Sequence, residues 1–156
     1  MCEYCGCQAL EAIAELTAEH DVVIELGRQV RDALRAGELD LAAERTRAVA
    51  AVLAPHTAVE EGALFPAMAG DFAGHVAALR DEHLLIDSVL AEAAHGTPGD
   101  PGWPGRVEHV LDVLREHILK EQDGVFPAAL ALLDPEQWEA VDAVRARVGS
   151  VSRATV

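Results

Sequence analysis

Aromatic residues are scarce: three Phe, two Trp and one Tyr make up 4% of the 156 residues. Strands lean on aromatic and β-branched side chains, whereas Ala, Leu and Glu, frequent here among the 51% apolar positions, favour helices. Basic residues are also few, 12 against 27 acidic ones, leaving a formal net charge of −15. A surface that negative repels phosphate backbones and anionic lipid, which excludes nucleic acid and membrane surfaces as partners, and it attracts cations. Apolar runs long enough to span a bilayer are missing, and "MCEYCGCQALEAI" has no basic stretch followed by an apolar one, so a soluble cytoplasmic protein is expected. Cysteine is confined to Cys2, Cys5 and Cys7. An odd, clustered set in a reducing compartment points to thiol chemistry or a second, soft-metal site such as zinc or copper(I) more than to a disulfide framework, the alternative being a flexible, functionally minor tail.

What is abundant is helical periodicity. Ile13, Leu16, Val23, Gly27, Val30 and Leu34 recur at three- and four-residue steps within a first segment, about 8–36. After the turn "AGELD", a second segment of about 41–67 places Val49, Val52, Leu53, Ala63 and Leu64 on one face. "MAGDFAG" interrupts it. A third segment, about 71–95, aligns Phe72, Val76, Leu79, Ile86 and Leu90. "GTPGDPGWPG" is a loop by its Gly and Pro content, and a fourth segment of about 107–133 carries Val107, Val110 and Leu114. Asp134 and Pro135 open a shorter fifth helix, and the tail after Gly149 is expected to fray. The expected fold is all-α: an antiparallel up-down-up-down four-helix bundle over 9–133, preceded by a cysteine-rich segment over 1–8 and followed by a short C-terminal helix and tail over 134–156.

Each apolar stripe is interrupted by one histidine: His20, His56, His83 and His117. Glu60 and Glu121 follow the second and fourth by four residues, which places each His–Glu pair on one helix face, about 6 Å apart along the axis. "HTAVEEGALFPA" (56–67) and "HILKEQDGVFPA" (117–128) are near copies offset by 61 residues, and "AEHDVVIEL" and "DEHLLIDSV" align around His20 and His83. Two positions of an antiparallel hairpin are level when they are equidistant from its turn. The midpoint of 20 and 56 is 38, that of 83 and 117 is 100, and that of 60 and 83 is close to 71, each inside an expected connection. Four histidines and two glutamates therefore share one layer. Buried unpaired carboxylates and imidazoles are costly, and no Lys or Arg interrupts these stripes to neutralise them. A pair of di- or trivalent cations offsets that cost, and imidazole with carboxylate suits iron, manganese or zinc. The Phe-Pro that follows each His-Glu motif is expected to end or bend its helix, with the Phe packing at the bundle base.

The doubled pattern resembles the hemerythrin-like family, whose HHE cation-binding domains carry His, then His-xxx-Glu, twice. "AEH", "HTAVEEGALFP", "DEH" and "HILKEQDGVFP" carry the resemblance over about 10–130. Ferritin-like bundles use Glu-x-x-His at a three-residue step, and here the order is reversed and the step is four. The resemblance implies two iron ions, oxo- or hydroxo-bridged, held by His20, His56, Glu60, His83, His117 and Glu121, the glutamates bridging. It also implies action on, or sensing of, dioxygen, peroxide or nitric oxide, including peroxide-disproportionating or nitric-oxide-handling activity. The alternative is a non-redox iron- or zinc-sensing module without catalysis.

The chain departs from the oxygen-carrying members, which have a fifth histidine four residues from the third. Leu79 and Asp87 occupy the two positions four away from His83. Asp87 could ligate or stay solvated. Glu61, about 100° around the helix from Glu60, could be an additional ligand, a supporting group or a surface residue. His75 and His109 lie eight residues, about 12 Å of helix, before His83 and His117 and cannot join the layer. His95 is expected at a helix end. Pro55, mid-helix before His56, either kinks that helix to turn His56 inward or is an irregularity absorbed by packing.

Overall fold

The computed structural model describes residues 6–150, and among them every regular element is helical. Six α-helices follow in order: α1 Cys7–Arg35, α2 Leu39–Val59, α3 Phe65–Leu90, α4 Trp103–Lys120, α5 Phe126–Leu132 and α6 Pro135–Val148. Five-residue π-helical turns, Glu60–Leu64 and Glu121–Val125, join α2 to α3 and α4 to α5. Of the cysteines singled out above, Cys7 opens α1 and is exposed, while Cys2 and Cys5 lie outside the described residues.

The connections follow from local chemistry. Gly37, at φ 74°, ends α1: its N–H bonds to the Leu34 carbonyl and the Glu38 N–H to that of Ala33, the paired bonds that close a helix through a left-handed glycine. "MAGDFAG" is narrower than the expected break. Helical structure runs through it except at Phe72, where φ −131° and ψ 37° leave the helical region. A straight helix would separate Glu60 from His83 by about 35 Å, yet their side chains are 3.2 Å apart, so the chain folds back at this kink. The fourth helix starts at Trp103 rather than near 107. Pro104 sits in its first turn, where the missing N–H costs nothing, and the fully buried Trp103 anchors the end. Pro55 lies within α2, which continues to Val59.

The Phe-Pro pairs do not stop the helical run, and both Phe side chains are buried. Each follows a π turn in which the Phe65 or Phe126 N–H bonds to the carbonyl five residues back, that of Glu60 or Glu121. A proline ring clashes with the carbonyl four residues before it. One extra residue in the turn relieves that clash at Pro66 and Pro127, so the ligand-type glutamates sit at the start of a widened turn. Such bulges concentrate at functional sites.

Buried side chains form two apolar clusters. One gathers Val23, Val30, Val49, Val52, Ile86, Val107, Val110 and Leu114; the other gathers Leu16, Val59, Leu64, Phe65, Leu79, Phe126 and Trp138. His20 falls between Leu16 and Val23, and His83 between Leu79 and Ile86, so the histidines lie at the boundary between the clusters. Helix α6 adds Trp138, Val141 and Val144 to the second cluster and packs on α1, α2 and the first π turn. It starts with a reciprocal cap: the Gln137 N–H donates to Asp134 Oδ1 at 2.8 Å, and the Asp134 N–H donates to Gln137 Oε1 at 2.9 Å. No helix is long and apolar enough to cross a membrane among the described residues.

Asp134→Ala removes half of that cap. It should lower unfolding stability by about 1 kcal/mol, read as a shift of the denaturant midpoint at unchanged slope.

Candidate metal centre

Six side chains meet at the boundary of the two clusters: His20, His56, Glu60, His83, His117 and Glu121, all buried, with both glutamates fully so. They form two groups of possible ligands, His20, His56, Glu60 and Glu121 on one side and His83, His117, Glu60 and Glu121 on the other, with each group's donor atoms within 4.8 Å of one another. The glutamates belong to both.

The halves repeat in detail. His20 and His56 face each other through Nε2 at 3.2 Å, and His83 and His117 do so at 3.0 Å. Their ring planes are inclined by 51° and 47°. Phe126 stacks on His20 at 5.5 Å between centroids, and Phe65 stacks on His83 at 5.7 Å. Each Phe of the Phe-Pro pair thus covers the first histidine of the opposite half with an apolar face that keeps water away.

The glutamates lie between the histidine pairs. Glu60 Oε1 is 3.0 Å from His56 Nε2 and its Oε2 is 3.2 Å from His83 Nε2, one oxygen toward each pair. Glu121 Oε1 is 3.1 Å from His20 Nε2 and 3.4 Å from His117 Nε2. Despite these distances, neither oxygen of Glu60 makes a hydrogen bond of acceptable geometry, nor does Glu121 Oε2. Buried carboxylate oxygens are rarely left so. The lone pairs converge on shared points between the residues, an arrangement that cations satisfy and that hydrogen bonds alone do not.

Three of the four outward Nδ1 atoms are partnered. His20 Nδ1 is 2.9 Å from Gln122 Oε1, His56 Nδ1 is 3.2 Å from Glu19 Oε1, and His83 Nδ1 is 2.9 Å from Glu61 Oε1. His117 Nδ1 makes no hydrogen bond among the described residues, with Glu82 Oε1 3.7 Å away. A proton on Nδ1 that donates outward leaves the Nε2 lone pair aimed at the centre, the usual support for a metal-binding imidazole.

Sequence reasoning overlooked Glu19, Glu82, Gln122 and Arg145. The first two carried a signal, since each immediately precedes the first histidine of its half, and Gln122 stands in the repeat where Glu61 does. Arg145 carried none, because α6 lies outside the repeat. Its buried guanidinium forks onto Glu19 at 2.6 and 3.1 Å and its Nε reaches Glu15 at 3.0 Å. The Ser150 hydroxyl donates to Glu19 at 2.9 Å, and the rest of the tail expected to fray, 151–156, lies outside the described residues. Of the remaining candidates, Glu61 supports His83 from a half-exposed position, and Asp87 is exposed and outside both groups. His75, His95 and His109 are exposed.

The electrostatics follow from burial against charge. Burial opposes an imidazolium at His56, but Glu60, Glu19 and Glu121 outweigh it and raise its pKa to about 10. Burial likewise opposes charge at His83, and Glu60 with Glu61 raises it to about 9. Glu60 would be raised by burial, but His56, Glu121 and His83 hold it well below the usual carboxylate range. Glu121 is raised by burial and by the charge of Glu60 beside it. Without a cation, protons and imidazolium supply the positive charge that the layer requires.

The family model described as Hemerythrin HHE cation binding domain matches residues 11–129. Neither the curated proteins nor the solved structures yield a significant match.

A histidine whose folded pKa lies above its ordinary 6.5 stabilises the fold fully below about pH 6.5 and loses that contribution as pH rises through the folded value. The chelator-stripped protein should therefore lose thermal stability from about pH 6.5 through 9–10, where His56 and His83 deprotonate. Adding a divalent cation at pH 7.5 should release protons from these two imidazoles, measurable with an indicator dye in weak buffer.

Proposed function

The chain belongs to the hemerythrin HHE cation-binding family, and from that premise we propose that its buried layer holds two iron ions, one between each histidine pair, bridged by Glu60 and Glu121. The observation that carries this reading is the convergence of buried carboxylate oxygens without hydrogen bonds on the inward Nε2 atoms of four histidines. Iron is proposed from the family likeness; the donors, imidazole and carboxylate with no thiolate, argue against a closed structural zinc site, and two histidines with shared carboxylates leave each position short of a full shell. The proposed architecture is an antiparallel up-down-up-down bundle with α6 laid against it as a fifth helix, which the level contacts between His20 and His56, Glu60 and His83, and His83 and His117 support.

When bound, the metal pair supplies open coordination positions at which dioxygen, peroxide or nitric oxide is polarised. The chain's own residues prepare that setting. Glu19, Gln122 and Glu61 accept from Nδ1 and so fix the tautomer of His56, His20 and His83. Phe65 and Phe126 lie flat on two of the rings and exclude water. Leu79, which is buried one turn before His83, is with the exposed Asp87 one of the two positions four residues away, the spacing at which oxygen carriers have a fifth histidine. It adds apolar wall and no ligand, leaving an additional opening for a small oxidant. That favours turnover or sensing over reversible carriage.

Elemental analysis with an absorption spectrum of freshly purified protein tests the reading. Two irons per chain with near-ultraviolet charge-transfer bands are expected, and Glu60→Gln should bind at most one iron per chain. A colourless protein holding zinc at full occupancy would overturn the redox assignment.

A further inference from the structure

The repeat makes the two histidine pairs alike, but their surroundings differ. Behind His56 the layer is closed. Its partner Glu19 is fully buried, gripped by Arg145 and by the Ser150 hydroxyl, and Arg145 also donates to the Gly149 carbonyl at 3.0 Å. Helix α6 lies over this side, packed on α1, α2 and the first π turn. Among the described residues, no such cover lies behind His117. The corresponding carboxylate is Glu82, 3.7 Å from Nδ1 and paired at 2.9 Å with Lys120, whose side chain is 56% exposed. The Glu61 carboxylate behind His83 is itself 39% exposed.

A cavity of about 460 Å³ opens to solvent on that second side, between α3 and the turn that leads into α5. Glu82 and Leu79 form part of its wall, with Met68, Phe72, Val125 and Ala128. Leu79 and Glu82 are also the residues one turn and one residue before His83. A single layer of side chains therefore separates the cavity from the His83–His117 pair. The lining is mostly apolar, and the chain's charge of −15 opposes anions, so the cavity suits a small uncharged molecule.

We propose that the two cation positions are kinetically distinct: the His83–His117 position is the exchangeable one, loaded and reached by small neutral ligands through the cavity lined by Leu79 and Glu82, and the His20–His56 position is the retained one, sealed by α6 through Arg145 and Glu19. This inference rests on the layer being a two-metal centre. It locates the ligand-accessible side of that centre and makes α6 a lock on the other.

Extraction of iron tests it. The full chain is loaded anaerobically with ferrous iron and mixed with excess bipyridine, an uncharged chelator small enough for the cavity, and the coloured complex is followed in time. The expected course has two phases of equal amplitude, at least about tenfold apart in rate, since the shell around a site governs access to it. Ala128→Trp, which fills the cavity, should slow the fast phase and leave the slow one. Arg145→Met should speed the slow phase and leave the fast one. His83→Ala should hold one iron and release it in the slow phase only, which provides a readout if the tryptophan variant does not fold. A single phase in the unmodified chain, or an iron of His83→Ala that leaves in the fast phase, overturns the proposal while leaving the two-metal reading standing. A chain that takes up no iron overturns both.

Discussion

Six ionisable or strongly polar side chains are held in one dry layer between two apolar clusters, and that constraint organises the molecule. Two carboxylates and four imidazoles at this depth cost several kcal/mol each if left uncompensated. Without cations, the layer answers with a charged pair of histidines and a divided pair of glutamates, Glu60 held well below the usual carboxylate range and Glu121 pushed above it by burial and by Glu60. Cations between the histidines would remove the need for either. The same six groups would then be favourable where they are otherwise costly, so under the proposed function stability and metal binding depend on a single set of contacts.

The backbone is shaped to present them. A regular helix places a histidine and the glutamate four residues later on one face, and the π turn that begins at each glutamate gives the following proline room. The phenylalanine before that proline then crosses to the other half and covers its first histidine. His-xxx-Glu and Phe-Pro are therefore one device: the motif supplies the donors, and the dipeptide supplies the turn and the apolar lid.

Much of this was legible in the sequence because it depends on periodicity and duplication. The stripes, the depth of the histidines and the shared level of Glu60 and His83 follow from helix geometry and turn positions. What was not legible depends on contacts between distant segments. Arg145 reaches Glu19 across 126 positions, and no spacing rule connects them. The π turns were hidden because a proline after a helical run reads as a stop, while the widened turn lets the helix resume. The kink at Phe72 is one residue wide, where the Gly-rich stretch suggested a longer break. Glu19, Glu82 and Gln122 were within reach, since extending the repeat by one residue on either side of each ligand-type position finds them.

The most direct measurement of the central claim is X-ray absorption at the metal edge of the loaded chain. Two imidazoles per metal, with oxygen donors and a second metal about 3.5–4 Å away, are predicted for a carboxylate-bridged pair. An oxygen-only shell with no imidazole scattering and no metal neighbour would place the cation elsewhere and contradict the account.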